Sequence, residues 1–246
     1  MKKYIVHIKF LLLFLLIAFL FGFAARRNSN KKIKAVDVYF TNGENLFITY
    51  EAVNKLLIQN LDTNQIQSVD SLFLNNLEKK VRSNKMIRNA DVYKTIDGKI
   101  GAVITQRTPV LRVVNGPESY YLDEEGKIMP LSENYSARVP IISGEISKTQ
   151  DLIDLANKIN KDAFLQKQVT GIEQIHKESG DQFNLKTRIG DQLIVLGTIL
   201  NFQKKKNKLK AFYQKALSDS ILEQYDTINL KFKNQVVCSK KVKYGK

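Results

Sequence analysis

Two histidines, one cysteine and a few clustered carboxylates are the side chains of this chain that acid–base, nucleophilic or metal chemistry would draw on. His7 lies in an apolar run, and His176 stands beside Lys177 in a stretch that reads as strand. No second histidine, paired cysteine or Glu-x-x-His spacing accompanies His176, so neither a zinc site nor a Ser/His/Asp relay has its parts. It reads as a strand surface residue. Asp123, Glu124 and Glu125 are adjacent in a turn, whereas glycosidase chemistry needs carboxylates facing across a cleft. Tyr120, Tyr121 and Asp123 resemble a pocket lining, but aromatics next to a turn more often pack. No Gly-rich phosphate loop occurs. Cys238, the one cysteine, forms no intrachain disulfide and reads as a small residue ending a strand. The expectation is a protein that is not an enzyme, with no cofactor and no metal.

Charge narrows the partners without choosing one. The formal net charge is +15, and the first 25 residues supply three lysines and no acid, so most of the excess belongs to the remainder. Nucleic acid, anionic headgroups or an acidic partner would each suit it. The densest patch, Lys204, Lys205, Lys206, Lys208 and Lys210, opens a helical pattern and reads as a solvated face.

What must position any such residues begins with Phe10 to Ala25, sixteen residues without a charge. Extended to Ile5, this run is long enough as a helix to cross a hydrocarbon core of about 30 Å. His7 and Lys9 interrupt its first turns, where a lysine stem can run along the helix toward the headgroups. The competing reading is a cleaved signal peptide, since Gly22 and Ala24 have the small-residue spacing of a cleavage site. Arg26 and Arg27 follow directly and favour an anchor. Basic residues on both sides leave the orientation undecided by charge. No second run of that length follows, which places the rest on one side of the membrane.

The remaining chain reads as folded almost throughout. A strand over Ile33 to Phe40 ends at Asn42-Gly43. Thr49 caps a helix whose buried stripe is Ala52, Val53, Leu56 and Leu57, with Ile48 and Val53 as a hydrophobic staple. After a polar connection, Asp62 to Ser68, either Asp70 or Ser71 caps a second helix with Leu74, Leu77 and Val81 inward. Strands at Ile87 to Thr95 and Ile100 to Arg107 flank Asp97-Gly98, a strong hairpin signal. The order β-α-α-β-β over 33–107 is an α+β unit. Beyond Pro109 come short strands at 110–114, 119–123, 128–131 and 141–143, with Gly116-Pro117 and Glu125-Gly126 as turns. Gly126 and Gly144 read as positions of positive φ. A helix follows Thr149 with Leu152, Leu155, Ala156, Ile159 and Ala163 on one side. Strands follow at 171–177, 183–189 (Phe183, Leu185, Thr187 and Ile189 inward) and 193–196, and a helix packs through Leu209, Phe212, Tyr213, Ala216 and Leu217. Last comes the longest strand, Thr227 to Cys238, with Ile228, Leu230 and Phe232 inward.

The strings Thr108-Pro109-Val110-Leu111-Arg112, YYLDEEGKIMPL at 120–131, RVPIISG at 138–144 and INLKFKNQVVCSK at 228–240 resemble, in this order behind one anchor, the bacterial cell-division FtsQ/DivIB family, in its Bacteroidetes style. The resemblance implies a cytoplasmic tail (1–4), a transmembrane helix (5–25), a linker (26–32), a POTRA domain (33–107), a β domain with a mixed or antiparallel sheet and flanking helices (108–240) and a short tail (241–246). It implies a single-pass inner-membrane protein, amino terminus cytoplasmic, that joins division proteins of the FtsB and FtsL type and through them the septal cell-wall synthase. Neither nucleic acid nor a small-molecule substrate is implied. The terminal strand would accept a strand from the partner, with Lys231, Phe232, Asn234, Gln235 and Val236 at the contact and Arg112 on the arginine that follows the proline. Familiar members have Arg-Tyr where this chain has Lys231-Phe232, and lysine gives up bidentate carboxylate binding. The rivals are a POTRA-bearing transport or assembly component and a basic envelope protein that binds anionic polymer.

Overall fold

The computed structural model describes residues 2–29, 36–41, 45–59, 71–96, 99–144, 146–178 and 180–241. Asn42-Gly43, the 62–68 connection, Asp70, Asp97-Gly98 and the tail after 241 lie outside them. The chain divides into two compact units, Met1–Gln106 and Arg107–Lys246.

Helix α1, Lys2–Ser29, opens the first unit. Its large apolar side chains from Phe10 to Phe23 are more than half exposed and point in every direction around the axis. Among the described residues no helix is long and apolar enough to cross a membrane. Strand β1 (Val36–Phe40), helices α2 (Tyr50–Gln59) and α3 (Ser71–Arg82), and strands β2 (Ile87–Lys94) and β3 (Ile100–Gln106) follow. The sheet order is β1-β3-β2, with β1 parallel and β2 antiparallel to β3. Thr49 Oγ1 accepts the Ala52 N–H at 3.2 Å and so starts α2. Ile48, Val53, Leu57, Leu77 and Val81 join Ile87, Ala90, Ile100, Ala102 and Ile104 in one core. Ala52, expected inward, is exposed, because the apolar stripe of this short helix runs through Val53 and Leu57.

The second unit is built on β4 (Pro109–Asn115), β5 (Glu118–Asp123), β6 (Ile128–Pro130), β7 (Ile141–Ser143), α4 (Gln150–Lys161), α5 (Ala163–Gln168), β8 (Val169–Ile175), β9 (Gln182–Thr187), β10 (Leu193–Gly197), α6 (Phe202–Ser218), β11 (Tyr225–Asn229) and β12 (Val237–Lys240). Its nine described strands run β12-β11-β10-β9-β8-β7-β4-β5-β6. The β7/β8 and β10/β11 pairs are parallel and each is bridged by helix, whereas the parallel β4/β7 pair is connected through β5 and β6. Leu111, Val113, Phe183, Leu185, Ile194 and Ile228 from the strands close on Leu152, Ile159, Leu209 and Tyr213 from the helices. The fold is α+β. Gly126 and Gly144 do have positive φ, +75° and +91°.

Several expected details differ. Asp162 ends α4 and its carboxylate accepts the N–H groups of Phe164 and Leu165, so Ala163 starts a separate helix and is exposed. Ile189 lies past the end of β9 and is 44% exposed, and Leu217, near the end of α6, is 52% exposed. His176 follows β8, its Nδ1 2.7 Å from Asp181 Oδ1. Asp181 also accepts from Thr149 Oγ1 at 2.6 Å and from Gln174 Nε2 at 2.8 Å, tying the β8–β9 connection to the start of α4. The Thr149 hydroxyl is the foremost reason that the Asp181 carboxyl is held below its usual range, with Gln174 and His176 adding to it. A depressed folded-state pKa contributes stability above the unfolded value of about 3.9 and loses it as pH falls through the folded value. Asp181→Asn should therefore lower the melting temperature at pH 7, and the deficit should shrink as the pH falls below the unfolded value. An equal deficit at pH 7 and below the unfolded value would refute the linkage.

The lysine patch is not simply a solvated face. Lys205 is buried, its Nζ 2.7 Å from Thr198 O, and burial lowers its pKa. Lys206 Nζ pairs with Asp162 at 2.6 Å, and Lys208 Nζ donates to the Leu230 and Phe232 carbonyls. Ammonium groups near the start of α6 thus satisfy polar groups on other segments.

Candidate functional site

The expected single terminal strand is two. Ile228 and Leu230 point inward and are buried, but Phe232 is 46% exposed. The strand stops because Asn229 Oδ1 accepts the Lys231 N–H at 3.0 Å, a side-chain turn that competes with the ladder. Leu230 N–H still reaches Val195 O at 3.0 Å, completing the bond to β10, and Lys208 then holds the carbonyls on either side of Lys231. The chain reverses and returns as β12, antiparallel to β11, with Cys238 opposite Ile228.

Strand β12 ends the sheet and is hydrogen-bonded to β11 on one side. Lys241 N–H donates to Gln224 O at 2.8 Å, across the non-bonded pair Lys240↔Tyr225. Strand alternation therefore turns the N–H groups of Cys238 and Lys240 to the open side. Cys238 packs partly on the core, and burial pushes its thiol pKa up, so it remains a thiol. The opposite edge, β6, is three residues long and ends in Pro130, which has no N–H to offer.

Asn234, Gln235 and Val236 lie in the turn before β12 rather than in the strand. They wall a groove of about 520 Å³ whose other sides include Lys208, Phe212, Ile221 and Tyr225. The contribution of α6 was missed in the sequence because its lysines read as surface. Lys231 is exposed, and its stem crosses Gly197, where a Cβ would come within 2.9 Å of Lys231 Cγ. Gly197 also has φ +71°, so Gly197→Ala should cost about 1 kcal/mol or more and displace Lys231. Thermal unfolding checks the first effect.

Arg112 is not part of this site. It sits on β4, half-buried, its Nε donating to Ser119 Oγ at 3.0 Å. Six strand-to-strand steps separate β4 from β12, about 29 Å at the usual spacing. Tyr121 is buried with its hydroxyl accepting Ala137 N–H, and Asp123 is 2% exposed and paired with Arg107 at 2.6 Å. Among the described residues no group of three or more His, Cys, Asp or Glu is placed to hold a metal.

Among the described residues the second unit is thus an α+β domain, a mixed sheet with flanking helices that has a terminal strand beside a groove. The family model described as FtsQ/DivIB, C-terminal related, matches residues 108–239, and the chain belongs to the FtsQ/DivIB family. The Cell division protein FtsQ of Salinibacter ruber is 30% identical over 154 residues, covering 58% of this chain and 60% of that protein. The chain thus matches less than two thirds of the relative's length.

Proposed function

We propose that this protein is a non-enzymatic, bitopic scaffold of the bacterial division machinery, which joins division proteins by accepting a strand from a partner along β12. The observation that carries this reading is that, among the described residues, no strand pairs with the outer side of β12, to which alternation turns the Cys238 and Lys240 N–H groups. Main-chain bonds along that edge supply affinity, and the groove beside Val236 discriminates among the side chains of the added strand. Helix α1 is the proposed membrane attachment of this scaffold, although no described helix is long and apolar enough to cross by itself. Its support is the ring of exposed Phe and Leu side chains from Phe10 to Phe23, a surface that water disfavours on every side. The amino terminus is then cytoplasmic, and the β-α-α-β-β part of the first unit and the whole of the second are extracytoplasmic. The β-α-α-β-β unit is a POTRA domain, and the partners are of the FtsB and FtsL type, leading on to the septal cell-wall synthase.

Co-purification of the tagged full chain from its own cells at stepped salt, followed by mass spectrometry, tests this. Division proteins should stay bound across the salt series, because main-chain pairing is insensitive to ionic strength. If only anionic polymer is recovered, and is shed steeply with salt, the protein is instead a basic envelope binder.

A further inference from the structure

A second surface lies on the same sheet, away from the terminal strand. Strands β7 and β8 share one register pair, Ile141↔Gly171, where a Cβ on residue 171 would meet the Ile141 carbonyl at 3.1 Å. Residues on the amino-terminal side of that pair, 138–140, 166–167 and 169–170, line a cleft of about 900 Å³, within the size range of ligand sites. Val139, Pro140, Ile141 and Val169 contribute apolar surface to it, and its charged lining residues are Arg138, Lys167 and Arg188, without a carboxylate. Arg138 and Arg188 are exposed and form no ion pair among the described residues. Arg188 is also held in place: its backbone N–H reaches Gln168 O at 2.7 Å and its Nε reaches Lys167 O at 3.2 Å. That leaves the outer nitrogens of the guanidinium fork for an acceptor from outside.

We propose that this cleft binds an extended acidic segment of a partner polypeptide, one whose carboxylates alternate with apolar side chains. Arg188 and Arg138 take the carboxylates, and the apolar lining takes the residues between them. A peptide fits better than a lone phosphate, which would satisfy the cations and leave the apolar lining and most of the volume unfilled. The cleft is four strand-to-strand steps from β12, so this contact is independent of strand addition.

The test is fluorescence anisotropy on the full chain in a zwitterionic detergent, with a labelled peptide of alternating glutamate and leucine as probe. Saturable binding is expected, weakening as salt rises, and falling about tenfold in Arg188→Gln and again in Arg138→Gln, the scale of one charge-assisted hydrogen bond each. Since Arg188 also braces the backbone, Arg138→Gln, which removes no hydrogen bond among the described residues, decides the matter if the Arg188 variant melts early. A glutamine–leucine peptide should not bind, and Lys240→Pro should leave the affinity unchanged. The proposal is overturned if both arginine variants bind within twofold of wild type. It is also overturned if the uncharged peptide binds equally, or if inorganic pyrophosphate displaces the probe at the probe's own dissociation constant, which would mark an inorganic anion site.

Discussion

Replacing Arg107 with leucine should remove about 3–5 kcal/mol from the stability of the second unit, the cost of leaving one member of a buried ion pair alone. The Arg107 and Asp123 side chains are 12% and 3% exposed and 2.6 Å apart. Asp123 is also the knot of the β5–β6 connection: Oδ1 accepts the N–H groups of Glu125 at 2.9 Å and Lys127 at 2.8 Å, and its carbonyl accepts Gly126 N–H at 2.9 Å. Without the guanidinium, a carboxylate that water barely reaches loses its ionic partner, and that favours unfolding. Glu125, with Oε2 3.8 Å from Arg107, is too exposed to carry the same weight. Differential scanning calorimetry should show the Arg107-dependent transition lowered by several degrees. A double replacement, Arg107→Leu with Asp123→Leu, should recover part of the loss, because no charge then remains stranded. If Arg107→Leu melts within a degree of wild type, the pair contributes little.

The largest functional effect is expected at Lys240. Lys240→Pro should weaken partner capture about tenfold to a hundredfold, since it deletes one of the outward N–H groups and leaves the partner's carbonyl unpaired, a loss of about 1–3 kcal/mol. The same replacement should scarcely change thermal stability, because that N–H makes no bond within the protein's own sheet. Ser239→Pro is the informative companion. Its N–H faces β11 by alternation, so it should break the β11–β12 hairpin itself. Lys240→Ala keeps the backbone donor and should bind as wild type. Quantitative mass spectrometry of proteins co-purified with each full-length variant reads all three. Capture by Lys240→Pro at the wild-type level would rule out main-chain pairing as the mechanism. Proline at Asn234 or Val236, the positions the sequence suggests, is a poorer test, because both precede the strand.

Much of the architecture was legible in the residues. Thr49 and Thr149 mark helix starts because a hydroxyl before an amphipathic pattern has a free N–H to satisfy. The β2–β3 hairpin, the inward Phe183 and Leu185 of β9, and the stripe Leu152, Leu155, Ala156 and Ile159 follow from periods of two and 3.6 that depend on neighbours alone. The candidate site was only half legible. The place of Val236 next to the terminal strand could be expected, but the groove could not, since Phe212 and Lys208 come from a helix more than twenty residues upstream.

By itself, then, the sequence determined the kinds of element, their order and the apolar faces each must hide, because backbone propensity, turn chemistry and side-chain period are local. Tertiary structure alone decided which strand lies at the rim, that the final strand breaks after Asn229, and that Lys205, Lys206 and Lys208 bind protein oxygens. It also separated Arg112 from the other candidate contacts and joined Arg107 to Asp123. Each of those outcomes depends on groups far apart along the chain meeting in space, and a pairing of that kind leaves no period in the sequence.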